Sequence, residues 1–240
     1  MIDYTLLVPA SPKFGPLLDN LVKSHEKHRN SFTNELVIFG APSRSSCYHS
    51  KMVSMLPKLR ELDTEYVVVI DAFDLIFNKP LDASLFQDFE EIPDLEFKFG
   101  AEVNCFPYLQ YKDLFDRNGR TSMKYLNGGV IIAKRDAYIS RLESFLDGSK
   151  YDQGEFLRSS DQVMYTLMYK DSLEMGDKKV SIDQEARISL QMFRMEKDNH
   201  YVLDEKGQLR FLETDNIPFF VHFNGDGKNQ MHHFGIEYGN

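Results

Sequence analysis

The chain has 240 residues, 42% hydrophobic and 27% charged, a balance that suits a folded protein and excludes a disordered one. That length supports one large core, so residues 1–240 read as a single domain. A net charge of −9 repels phosphate over most of the surface, which excludes a nucleic-acid scaffold; an anionic ligand would need a metal or a few well-placed basic residues.

Strand-like and helix-like segments alternate from the start. Tyr4 to Val8 predicts a strand, broken by Pro9-Ala10-Ser11-Pro12. Pro16 to Lys27 carries Leu17, Leu18, Leu21 and Val22 at helical spacing, and Glu35 to Phe39 predicts the next strand. Ser50 to Leu62 predicts a helix with Met52, Val53, Leu56 and Leu59 on one face. Tyr66 to Ile70 is a β-branched run, as in a strand buried on both faces. This β-α-β-α-β opening predicts an α/β fold, a Rossmann-like, mostly parallel sheet flanked by helices.

The second half is more mixed. Phe97 to Glu102 and Gly129 to Ala133 predict strands; Asp136 to Leu146 and Asp161 to Tyr169 predict helices. Tyr201 to Leu203 and Leu209 to Leu212 predict a hairpin, and Phe219 to Phe223 a last strand. No apolar run approaches the roughly 20 residues that cross a bilayer, so membrane insertion is not expected. Met1-Ile2-Asp3-Tyr4 lacks a basic region followed by an apolar one, so we read the chain as cytosolic, or as trimmed of a secretory leader. Cys47 and Cys105 form no CxxC pair and read as buried free thiols.

The chemistry gathers at Asp71-Ala72-Phe73-Asp74, where a buried strand delivers two carboxylates at its carboxyl end. Ligands of open α/β sheets bind at that edge. Two close carboxylates repel, and a hard cation such as manganese or magnesium relieves the repulsion and bridges diphosphate oxygens. Capping of the following turn is the plain alternative, and an aspartate nucleophile of a phosphohydrolase is a third reading.

Companion elements follow. His222 ends the last strand, before Asn224-Gly225-Asp226-Gly227-Lys228, a flexible loop of exposed N–H groups ending in a lysine that suits a diphosphate. Lys51 opens the second helix, either as a solvated lysine or as a phosphate contact. Leu126-Asn127-Gly128-Gly129 precedes a strand, as a turn or a place of close approach. Asp161 reads first as a helix N-cap, or else as a group in the site. His232-His233 reads as a surface pair.

Taken in order from Tyr4 to about Gly239, these pieces resemble the glycosyltransferase domain of the procollagen lysyl hydroxylases, a nucleotide-sugar-binding GT-A fold. The resemblance implies manganese (or magnesium) on Asp71, Asp74 and His222. It implies Lys51, Asn224, Gly225 and Lys228 around the diphosphate of a UDP-sugar, with Val8, Pro9, Ala10 and Ser11 near the uridine. Ala72 and Phe73 would lie against the nucleotide, Phe73 standing where the family often has tyrosine. Asp161 would face the transferred sugar, with Asn127 nearby. The acidic cluster that precedes the Asp-Gln pair in the family is reduced here to Leu157-Arg158-Ser159-Ser160, and the chain has no tryptophan. The implied reaction is metal-dependent transfer of a hexose from a UDP-hexose to a hydroxyl acceptor on a peptide or glycan, hydroxylysine or galactosyl-hydroxylysine. A catalytically silent nucleotide-sugar-binding module is the alternative.

Overall fold

A computed structural model describes residues 2–10, 15–40, 47–148 and 161–236. Ser11 and the segment from Leu157 to Ser160 lie outside the described residues.

The opening half follows the predicted order. Strand β1 (Tyr4–Ala10) leads to helix α1 (Gly15–Lys27), β2 (Leu36–Gly40), α2 (Cys47–Arg60) and β3 (Tyr66–Ile70). Strand β1 pairs in parallel with both β2 and β3. The chain then runs through β4 (Leu75–Phe77), α3 (Gln87–Glu91), β5 (Phe97–Glu102), α4 (Lys112–Asn118), β6 (Tyr125–Lys134) and α5 (Arg135–Leu146). Helix α6 (Gln162–Met175), strands β7 (Val180–Ile182) and β8 (Ser189–Gln191), the β9–β10 hairpin (Tyr201–Leu203, Leu209–Phe211) and β11 (Phe220–His222) complete it.

Nine strands form one sheet in the order β2-β1-β3-β6-β5-β8-β11-β4, with β7 beside β5. Most pairings are parallel; β6 runs antiparallel to both neighbours, and β4 antiparallel to β11. Side chains of β3 alternate between two cores. Val67 and Val69 face Met52, Met55 and Leu59 of α2, whereas Val68 and Ile70 face Leu21 of α1 and Phe86. That two-sided burial is why the strand reads as an unbroken apolar run.

Four expectations are corrected. Strand β1 continues through Pro9 and Ala10; past Leu7 it pairs with β2 alone, so a residue without an N–H is tolerated there. The buried face of α2 is Met52, Met55 and Leu59, while Val53 is exposed. The i, i+3, i+7 stripe outweighs the β-branched residue beside it. Leu126-Asn127-Gly128-Gly129 is no turn but the interior of β6. Its glycines are fixed by packing: a Cβ on Gly129 would lie 2.1 Å from the His222 ring, and one on Gly128 would lie 2.8 Å from Tyr165. Residues Gly225–Phe234 form a 3-10 helix rather than a loose loop.

The Gly129 contact yields a test. Gly129→Ala should lower unfolding stability by about 1–3 kcal/mol through overpacking. Gly40→Ala, where nothing lies within 4 Å, should stay within roughly 0.5 kcal/mol of the parent. Urea unfolding of both variants checks this; equal stability would show that the His222 ring yields freely.

Candidate active site

Three backbone constraints assemble the carboxylate end of β3. Asp71 N–H donates to Gly129 O on β6 at 2.9 Å, and Phe223 N–H donates to Asp74 O at 2.7 Å. Strand β11 pairs with β4 so that His222 lies opposite Leu75, the residue after Asp74. Ligand atoms of Asp71, Asp74 and His222 therefore all fall within 4.8 Å of one another. His222 Nε2 is 3.4 Å from Asp74 Oδ1 and 3.6 Å from Asp71 Oδ2.

The histidine is oriented from behind. Its Nδ1 meets Gln191 Oε1 on β8, an atom that only accepts, so Nδ1 carries the proton. Gln191 is itself held through its Nε2, which donates to Ser189 Oγ at 2.8 Å. The Nε2 lone pair then points at two carboxylates, an arrangement that requires a proton or a cation. Burial opposes protonation of His222, but Asp74 and then Asp71 outweigh it and lift its pKa above the ordinary histidine value. Asp74 moves the other way, to about 2: burial raises it, and His222 and Lys228 lower it further. Asp71 is raised, chiefly by burial, against the pull of Lys51 and His222.

Two lysines flank the group. Lys228 Nζ lies 3.2 Å from Asp74 Oδ2. Lys51 is not solvated: its Nζ sits 2.8 Å from Asp71 Oδ1 and 3.1 Å from Asp161 Oδ2, with only 13% of the side chain exposed. Burial works against its charge, yet Asp161 and Asp71 raise its pKa above that of an ordinary lysine.

Asp161 makes no side-chain cap on α6; its backbone is already helical (φ −54°, ψ −26°) and its carboxylate is buried against Lys51. That overturns the N-cap reading, because the side chain turns into the sheet end instead of back along the helix. Behind it the buried hydroxyls of Tyr138 and Tyr165 meet at 2.7 Å.

Asn127 lies on β6, where its Oδ1 accepts from Gly129 N–H and its Nδ2 donates to Glu102 Oε1, both at 2.9 Å. Glu102, which sequence reading missed, also accepts from Gln162 Nε2 and Asn224 Nδ2, each at 3.1 Å. Burial raises its pKa, against the hydrogen bonds from Asn127, Gln162 and Asn224. It ends the predicted strand Phe97–Glu102, and a carboxylate at a strand's carboxyl end was the signal available. Gln191 had no such signal, since β8 is three residues long.

The remaining candidates are placed as follows. Asn224 Oδ1 accepts from Phe193 N–H at 3.1 Å. Gly225 adopts φ +57°, and a Cβ there would lie 2.8 Å from the Phe193 ring, so glycine is required twice over. Val8, Pro9 and Ala10 continue β1 past the same sheet end as Asp71, but they are buried and the Val8 and Ala10 side chains belong to the core. Ala72 is buried and Phe73 is partly buried against the same core. His232 and His233 pack ring to ring at 3.9 Å, and among the described residues neither joins the Asp71, Asp74 and His222 group. Cys105 is a buried free thiol, as expected. No helix among the described residues is long and apolar enough to cross a membrane.

Comparison with known proteins places this geometry in a family. The chain is 21% identical over 187 residues to the multifunctional procollagen lysine hydroxylase and glycosyltransferase of Caenorhabditis elegans. That match covers 77% of the chain but 24% of the relative, so the chain spans about a quarter of the curated protein it matches. Among solved structures, a glycosyltransferase involved in glycosylating the major capsid of PBCV-1 superposes with a TM-score of 0.62 at 12% identity, covering 98% of this chain and 100% of that one. Mouse xyloside xylosyltransferase 1 gives a TM-score of 0.57 at 13% identity, over 94% of this chain and 99% of that one. These two share the fold, which is GT-A. The model of the PLOD GT domain matches residues 48–238, and the chain belongs to that family of glycosyltransferase domains.

Proposed function

We propose that this domain, residues 1–240, is a metal-dependent hexosyltransferase that moves a hexose from a UDP-sugar to a hydroxyl acceptor on a peptide or glycan. Hydroxylysine or galactosyl-hydroxylysine is the acceptor that the family relationship favours. The observation that carries the reading is the convergence of Asp71, Asp74 and the His222 Nε2 lone pair at the carboxyl end of the sheet. Two carboxylates and an imidazole suit a divalent manganese or magnesium ion. Bound there, the ion would supply charge neutralisation for the departing UDP.

The chain's own residues then divide the work. Lys228, with Asn224 and the main chain at Gly225, faces the diphosphate. The main chain of Val8 to Ser11, with Ala72 and Phe73, borders the nucleotide. Lys51 contributes its charge from between Asp71 and Asp161, and so ties a metal ligand to the group at the sugar. Asp161 faces the reacting carbon or the acceptor hydroxyl, and Asn127 is held beside it by Glu102. Family membership favours transfer over the phosphohydrolase reading of Asp71.

Two measurements test this. UDP should raise unfolding stability by about 2.7 kcal/mol at a hundredfold excess over its Kd, with manganese present. In EDTA the gain should disappear; an equal gain in EDTA would remove the metal from the site.

Asp161→Asn separates binding from chemistry. Because the Asp161 side chain makes no cap hydrogen bond on α6, no capping energy of that helix is at stake. UDP affinity should persist while UDP-sugar turnover falls by roughly 100- to 10,000-fold, the range for a lost acid–base group. The loss belongs in kcat, since the interaction is made mainly in the transition state. Unchanged turnover would exclude Asp161 from the reaction.

A further inference from the structure

A cavity of about 350 Å³ opens between α1, β4, the β9–β10 hairpin and the 3-10 segment that follows β11. That is the size of pockets that hold small organic ligands. Its charged lining is Lys23 and Lys27, with the rings of His28 and His233 beside them, and no aspartate or glutamate lines it among the described residues. The chain as a whole has 37 acidic and 28 basic residues, so this one-sided lining runs against its composition. The two larger cavities both mix signs, one with Asp88 and Lys98, the other with Glu65 and Arg135.

The two lysines are also unspent. Among the described residues Lys23 and Lys27 form no ion pair, and neither do Lys178, Lys197 and Lys206; what sets Lys23 and Lys27 apart is their shared place in one cavity. Lys27 stands in the last turn of α1, where a cation suits the helix dipole, but that does not account for Lys23 or His233. Burial, and then the charge of Lys27, hold His28 below the ordinary histidine pKa, and burial, and then His232, do the same for His233, so the two rings offer hydrogen bonds rather than fixed charge. The lining also carries the apolar side chains of Leu203, Phe234 and Ile236, together with the polar Asn20, Asn78 and Gln208.

We propose that this cavity binds a small organic phosphate, its phosphoryl group held by Lys23, Lys27, His28 and His233 and its apolar body lying on Phe234 and Ile236. The segments that line it also carry Asp74 and Lys228, so an occupant packs on chain that leads to the candidate active site.

Calorimetric titration of the whole chain in EDTA, with phenyl phosphate as probe, tests the proposal apart from any reading of the active site. One equivalent should bind, about tenfold or more tighter than inorganic phosphate because the ring buries apolar surface. The combined change Lys23→Glu and Lys27→Glu, both at exposed positions, should weaken binding at least about tenfold by reversing the local charge. If that pair lowers the melting temperature, Lys23→Gln with Lys27→Gln is read instead, with a loss of several-fold. Lys228→Gln should leave phenyl phosphate binding unchanged, which separates this cavity from the diphosphate position. No binding by the parent, binding indifferent to both lysine pairs, or binding lost with Lys228→Gln would each overturn the proposal.

Discussion

Two carboxylates and an imidazole lone pair cannot share one end of a sheet without positive charge between or beside them. Most of the local structure around Asp71 and Asp74 answers that demand. Lys51 sits on Asp71 and Lys228 on Asp74, one from the second helix and one from the segment after the last strand. Gln191 fixes which nitrogen of His222 faces inward. Gly129 leaves room for the ring, since any side chain there would collide with it. The site is thus held by β3, β6, β8 and β11 together.

The same demand bears on how a chain of net charge −9 could hold the nucleotide diphosphate proposed for it. Bulk electrostatics work against such a ligand, so the attraction must be local. Here the positive groups lie where carboxylates already hold them. Lys51, between Asp71 and Asp161, also joins the proposed metal ligands to the carboxylate proposed to face the sugar. Glu102 makes a second join, since it accepts from Asn127, Gln162 and Asn224 on three different elements.

Much of this was legible in the sequence, for reasons visible in particular residues. Tyr66 to Ile70 is buried on both faces, so its composition announced both the strand and the end where Asp71 would emerge. His222 was marked by its strand and its following turn. What escaped was set by long-range packing. Strands β4, β7 and β8 have three residues each, too few for a period to show. The glycines of β6 allowed either a turn or a close approach, because Tyr165 and His222, whose rings require them, lie 37 and 93 residues further along. Asp161 could be read as a cap or as a group in the site, because an aspartate before a helix suits both; only the fold, which brings Lys51 within 3.1 Å of it, decides against the cap.

The central claim is that Asp71, Asp74 and His222 hold one divalent ion. Titrating the protein into manganese, and following the loss of the free-ion signal by electron paramagnetic resonance, reads that directly. One ion should bind per parent chain, Asp74→Ala and His222→Ala should each lose it, and His232→Ala should keep it. A parent chain that binds no manganese, or a His232→Ala loss equal to that of His222→Ala, would contradict the account.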